Sequence, residues 1–98
     1  MPKRSVHFGP KARADLDDIF AYTADEWGEA RAEQYVRALN DAALSLTAHP
    51  LLGIDVGFLR HDYRRLRCDH HVLYYRIRGD RIEVVRILHE RMDPVANL

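Results

Sequence analysis

Acidic, thiol and imidazole side chains gather at three places in the chain, and each gathering is of a kind that does chemistry elsewhere. Asp15, Asp17 and Asp18 form a short carboxylate cluster. Such a cluster suits acid–base work or a divalent cation. Here it follows Pro10 at the start of an amphipathic stretch, where the helix dipole favours negative charge without any reaction. Cys68, Asp69, His70 and His71 are consecutive and all carry metal-ligand side chains. No C-x-x-C or H-E-x-x-H spacing accompanies them. On an extended strand, neighbours would point to opposite faces, so no metal site is expected. His89 lies between Arg86 and Arg91 and is of a type that exchanges protons near neutral pH. A strand-end histidine in a polar rim is the plainer reading. Cys68 reads as a packed thiol rather than a nucleophile. There is no Gly-rich phosphate loop, nucleophile elbow or dinucleotide fingerprint. These patterns assign no catalytic residue and no cofactor.

Arginine is the other chemical feature. Residues 50–98 carry nine bases, all arginine, against seven acids. Residues 1–49 carry eight acids and six bases. Arg60, Arg64, Arg65 and Arg67 fall within eight residues. The planar guanidinium fork suits carboxylate, phosphate or aromatic partners. The run is therefore either a solvated surface or a local basic patch facing an acidic partner or nucleic acid.

The elements that position these groups follow from periodicity. Ser5 to Phe8 alternates and reads as a strand. Pro10 suits the first turn of a helix. Leu16, Ile19, Phe20, Thr23 and Trp27 then recur at three- and four-residue steps, forming one largely apolar stripe. Gly28 interrupts it. Ala32, Tyr35, Val36, Leu39, Ala43 and Leu46 form a second stripe, which His49-Pro50 ends. Two such helices joined at one glycine predict an antiparallel helical hairpin. Leu51 to Asp62 reads as a loop. Tyr63–Cys68, His71–Ile77 and Ile82–His89 read as strands, the last two rich in β-branched and aromatic residues. The expected fold is α+β: an N-terminal strand, the helical hairpin, then a three-stranded antiparallel run, all forming one sheet packed on the helices.

A two-residue loop at Gly79-Asp80 sets a register. Ile77 then opposes Ile82, Tyr75 opposes Val84 and Leu73 opposes Arg86. On the other face Arg76 opposes Glu83, Tyr74 opposes Val85 and Val72 opposes Ile87. The first face should cover the helices. The second is also largely apolar, and two helices cover only one side of a sheet. An arginine-fringed apolar face left open predicts a partner, unless the tail from Arg91 to Leu98 folds over it.

The whole chain bounds these readings. Its 98 residues and 47% apolar content fit a single domain, residues 1–98, with one small core. No apolar run approaches a membrane span, and the amino terminus lacks a signal-peptide segment. One cysteine makes no intramolecular disulfide, so a cytoplasmic location is expected. Zero net charge weighs against a dedicated nucleic-acid binder.

The stretches ADLDDIFAYTADEWGEARAEQYV, HPLLG and YRRLRCDHHVLYYRIRGDRIEVVRILHERMD, in that order, strongly resemble the ParE toxins of bacterial toxin–antitoxin modules, within the RelE/ParE superfamily. The resemblance runs from about Phe8 to Asp93, and the joint pattern carries it rather than any one motif. It implies a toxin, not an enzyme, that binds and inhibits DNA gyrase and arrests growth. It also implies a ParD-type antitoxin that wraps the toxin. On position and charge, Arg65, Arg67, Arg76, Arg86, His89 and Arg91 would contact the target through charge-assisted hydrogen bonds. Phe20, Tyr22, Trp27 and Tyr35 on the helices, with Val72, Tyr74, Arg76, Val85 and Ile87 on the sheet, would bind the antitoxin. No sequence-specific nucleic-acid contact, membrane, metal or cofactor is implied.

RelE-like relatives instead cleave messenger RNA on the ribosome. In one such branch the helix stop reads E-P-L-K-G with a catalytic glutamate; His49 stands there in this chain. An arginine in H-R-L-V-Y is matched by His71. The closing R-Y-H-Y is matched by Arg86, Ile87, Leu88 and His89, which keeps only the arginine. A nuclease of that kind is the alternative expectation. An interaction domain of the same fold without toxicity is a third.

Overall fold

Why the chain folds as it does begins with where its helices stop. The computed structural model describes residues 4–98. Strand β1 (Ser5–Phe8) leads into helix α1 (Pro10–Trp27) and then α2 (Glu29–Ser45). Gly28 has φ 93° and ψ 160°, a conformation that L side chains rarely adopt. Its N–H caps α1 at Ala24 O, and its C=O accepts from Ala32 N at the start of α2. One residue thus ends one helix and starts the next, as the sequence pattern predicts.

Strands β2 (Ile54–Asp55), β3 (Arg64–Cys68), β4 (His71–Arg78) and β5 (Arg81–His89) follow, then a short helix α3 (Pro94–Asn97). They form one five-stranded sheet in the order β1-β5-β4-β3-β2. β1 runs parallel to β5, with Ser5 opposite Arg81, and the remaining pairs are antiparallel. β2 is the one strand that the sequence reading placed in a loop. It has two residues, both exposed, so no alternation marks it.

The main core lies between the helices and one sheet face. Ala12 and Ile19 from α1, with Leu39, Ala43 and Leu46 at and after α2, meet Leu73, Tyr75, Ile82, Val84 and Ile87. Burying each large aliphatic side chain contributes about 1.5–3 kcal/mol. Alanines at positions 12 and 43, both with no exposed surface, let the helices approach closely. Burial on α1 stops short of the end of the expected stripe: Trp27, its last member, is 71% exposed.

The H-P-x-x-G stretch is held by two side chains of the sheet. The Tyr75 hydroxyl donates to Pro50 O (2.8 Å) and accepts from Gly53 N (2.9 Å). Arg64 donates to Gly53 O (2.8 Å) and Leu51 O (3.4 Å). A Cβ on residue 53 would lie 2.6 Å from both Arg65 O and the Tyr75 hydroxyl, so only glycine passes.

The β4–β5 register agrees with expectation from Arg78 opposite Arg81 to Tyr75 opposite Val84, then shifts by one. A bulge puts Arg86 opposite Tyr74 and Ile87 opposite Leu73. This corrects the sequence reading and turns Ile87 into the helix-side core. Asp15, in the second turn of α1, is bonded beside this bulge. That carboxylate accepts from Ile87 N (2.9 Å), Arg86 Nε (2.8 Å) and Arg86 Nη2 (3.0 Å). A β-bulge releases one N–H from the ladder, and here a helix side chain takes up a neighbouring N–H. Asp15 therefore ties two elements together rather than tuning the helix dipole.

The second sheet face is not open as expected. Val56, Val72, Tyr74 and Leu88 form a second buried cluster, packed by Leu59, Tyr63, Val85 and Leu98. The segment between β2 and β3 supplies one cover. The tail supplies the other, with Arg86 Nη1 donating to Asn97 O (2.7 Å) and Asp93 capping α3 at Val95 N.

Candidate functional site

The groove that remains open lies at the end of the sheet where β4 begins and β5 finishes. It has a volume of about 750 Å³. α1 lends it Asp18, Ile19, Tyr22, Thr23 and Trp27, and α2 lends Arg31, Gln34, Tyr35 and Ala38. The strand ends close it with Asp69, His70, His71 and His89. The lining is chiefly apolar along the helices and polar at the strand ends. Exposed Tyr22 and Trp27 are rigid, amphipathic anchors of the kind that dominate protein contacts.

The polar end is organised around Tyr35. Its hydroxyl accepts from His70 N (3.2 Å) and shares a second hydrogen bond with His71 Nδ1 (2.6 Å). The His71 ring stands edge-on to Tyr35 at 5.4 Å and to His89 at 5.2 Å. Burial, then the neighbouring His89 and His70, pushes His71 down to about 4. His71 is thus neutral at pH 7. Burial raises the Tyr35 phenol, and its hydrogen bond from His70 N opposes this in part. His89 Nδ1 accepts from Arg91 N (3.2 Å). Beside them Glu90 accepts from Arg67 (2.5 Å) and pairs with His70 (2.6 Å). Those contacts, His70 first, hold its carboxyl below the usual range.

The expected site residues divide. Tyr22, Trp27, Tyr35 and His89 line the groove. Phe20 is half-buried on α1 and does not line it. Val72, Tyr74 and Ile87 are 8%, 3% and 3% exposed, so they offer no free face; the covering segment, the tail and the bulge bury them. Val85 is half-buried in the covered cluster. Arg76 is engaged by Glu83 at 2.9 Å. Arg86 is the strongest correction: the Asp15 carboxylate and Asn97 O occupy it, so it is a structural clamp rather than a free contact.

The arginine-rich surface is also less basic than its sequence. Asp55 meets Arg64, Glu90 meets Arg67 and Asp62 meets Arg78. Arg65 and Arg91 are exposed without a carboxylate partner among the described residues. Arg65, Arg67 and His89 line a smaller hollow of about 230 Å³ on the other face, with Val72, Tyr74 and Met92. His89 therefore stands on the divide between the two concavities.

Among the described residues no group of three or more His, Cys, Asp or Glu side chains is placed to hold a metal. No described helix is long and apolar enough to cross a membrane. Of the nuclease counterparts, His71 and His89 share the groove, whereas His49 and Arg86 do not line it. Arg31, Gln34, Ala38, Asp69 and His70 line the groove without having been singled out as docking residues. Arg31, Gln34 and Ala38, with Tyr35, fall at three- and four-residue steps along α2, a signal that the sequence does carry.

Comparison with known proteins agrees with this architecture. Residues 6–94 match the family described as the ParE toxin of type II toxin–antitoxin system, parDE. Toxin ParE1 of Mycobacterium tuberculosis is 43% identical over 90 residues, covering 91% of this chain and 92% of that one. Toxin ParE1 of Caulobacter vibrioides is 40% identical over 88 residues, covering 90% and 91%. Toxin ParE of Escherichia coli is 38% identical over 89 residues, covering 90% and 86%. A structure of a chromosomal ParDE system from P. aeruginosa superposes with a TM-score of 0.78 at 22% identity, covering 89% of this chain and 96% of that one. A RelBE-type toxin–antitoxin complex from Mycobacterium tuberculosis gives 0.70 at 21% identity, covering 90% and 99%. With a family match across nearly its whole length and relatives of similar span, the chain belongs to the ParE toxin family of type II toxin–antitoxin systems.

Proposed function

We propose that this chain is a toxin that acts by binding DNA gyrase and is silenced by a ParD-type antitoxin seated in the groove. The observation that carries the reading is the groove itself, in a chain of this family. It is open, chiefly apolar along two helices, and anchored by Tyr22 and Trp27 at 68% and 71% exposure. Such a surface suits the apolar face of an amphipathic segment. Antitoxin binding falls to Tyr22, Trp27 and Tyr35. Target contact falls to Arg65, His89 and Arg91, which reach solvent or a concavity, with Arg67 at the rim of the hollow.

The nuclease reading draws less support. Attack by a ribose 2′-hydroxyl calls for a general base within hydrogen-bond reach. His89 Nδ1 is occupied by the Arg91 N–H, so that imidazole meets the groove as a donor, and His71 Nδ1 is taken up by Tyr35.

The deciding experiment uses purified, antitoxin-free protein in a gyrase assay on plasmid DNA. Loss of supercoiling with trapped double-strand breaks is expected, reversed by added antitoxin. Unaffected gyrase, with the protein shown to be folded, overturns the target. Ribosome-dependent messenger RNA cleavage in the same preparation would replace binding by catalysis.

A further inference from the structure

The two groove imidazoles have one nitrogen each to spare. The Arg91 N–H donates to His89 Nδ1, which leaves that ring's own proton on Nε2, and assigning the Tyr35 proton to His71 Nδ1 gives His71 the same tautomer. Neither Nε2 has a hydrogen-bond partner among the described residues, yet no buried side-chain nitrogen or oxygen is unsatisfied. Both Nε2–H groups therefore reach solvent. The rings lie 5.2 Å apart, close enough to serve one ligand side chain. Nearby carboxylates are already engaged: Asp69 by His70, and Glu90 by His70 and Arg67. Arg31 lines the same groove with no carboxylate partner among the described residues. Asp18, across on α1, is the one lining carboxylate without a cation among them; it suits a basic side chain on the ligand.

We propose that His71 and His89 form a two-donor receptor for one acidic side chain of the segment that occupies the groove. This rests on the groove being the peptide site. The apolar stretch from Ile19 to Trp27 gives the segment its grip, and the histidine end sets its register. A ligand carboxylate has two oxygens for the two N–H donors, and Arg31 lines the same groove. An uncharged ligand residue there loses the charge assistance. Tyr35 is a positioning residue: by holding His71 Nδ1 it keeps the Nε2–H pointed outward.

The test uses the full chain and a displayed library of 18-residue amphipathic helical peptides. Selected peptides are expected to lose affinity when Trp27→Ala is introduced, and to share an Asp or Glu at one position relative to their apolar anchors. Changing that residue to Asn or Gln should weaken Kd about tenfold. His71→Asn and His89→Asn keep an acceptor near the Nδ1 position and remove Nε2–H. Against either variant, with its circular dichroism unchanged, the acid-to-amide penalty should vanish. Peptides that bind through Trp27 with no acidic preference overturn the receptor alone, as does a preference that survives both variants. Binders indifferent to Trp27→Ala, or no binders, overturn the groove reading and the receptor with it. A single-stranded RNA oligonucleotide titrated in parallel that binds tightly through His71 would replace the peptide.

Discussion

Removing either side of the Asp15–Arg86 clamp should cost this chain a large part of its stability. The two side chains are 14% and 20% exposed. The carboxylate accepts two bonds from the guanidinium and one from the Ile87 N–H, while Arg86 also donates to Asn97 O. Deleting one partner of a buried pair costs about 3–5 kcal/mol. Partial exposure places this pair near the lower end, at about 3 kcal/mol. A domain of this size holds only about 5–15 kcal/mol. The same loss lowers Tm by about 12–24 °C, taking about 4–8 °C per kcal/mol. Urea unfolding followed by far-ultraviolet circular dichroism is the suitable assay. Trp27 is already 71% exposed and reports unfolding poorly by fluorescence. Asp15→Ala, Arg86→Ala and the double variant should give a coupling energy of about 2 kcal/mol or more. Arg86→Lys should restore only part, because an ammonium cannot span both carboxylate oxygens and Asn97 O. An Arg86→Glu protein within about 0.5 kcal/mol of the parent would refute the clamp. Until that is measured, lost toxicity in an Arg86 variant speaks of folding before it speaks of gyrase.

Gly53→Ala should destabilise by about 2 kcal/mol in the same unfolding assay, since its Cβ meets Arg65 O and the Tyr75 hydroxyl at 2.6 Å; unchanged stability would mean the loop is not held there. Tyr75→Phe strands the Gly53 N–H and should cost about 1–3 kcal/mol with no change in secondary structure. Stability should also fall as pH is lowered from about 6.5 toward 4. Unfolded His71 takes a proton near 6.5, whereas folded His71 resists until about 4, so acid favours the unfolded chain. The imidazole is only half-buried, so solvent screening cuts the contribution to about 1–2 kcal/mol. The His71→Asn variant should flatten that window, and an identical pH profile for variant and parent would assign the dependence to other groups.

The sequence was most legible where structure follows from local period. Leu39 and Ala43 on α2, Leu46 at its C-cap and the Gly79-Asp80 hairpin could be read because neighbours within a few residues decide them. The register read from that hairpin holds as far as Tyr75 and Val84. It fails beyond them at a bulge beside which Asp15, 72 residues from Ile87, takes a backbone N–H. No periodicity records such a contact. The second face misled for a related reason: Val72 and Tyr74 look open until Val56 and the tail are placed on them. In the groove, Tyr22 and Trp27 were legible as apolar residues on a helix. The tautomers of His71 and His89 were not, since they depend on a tyrosine from α2 and a backbone N–H beyond β5.

The parallel pairing of β1 with β5 has a consequence for how this protein comes into being. Ser5 sits beside Arg81, so the earliest strand to leave the ribosome has no seat until one of the latest is made. The helical hairpin can form at once from neighbouring residues, whereas the sheet beneath it must wait. Newborn chains therefore pass through a stage in which α1 and α2 exist without the surface that closes their core. Completion waits for β5, and a chain halted before β5 is unfinished in its first strand as well as its last.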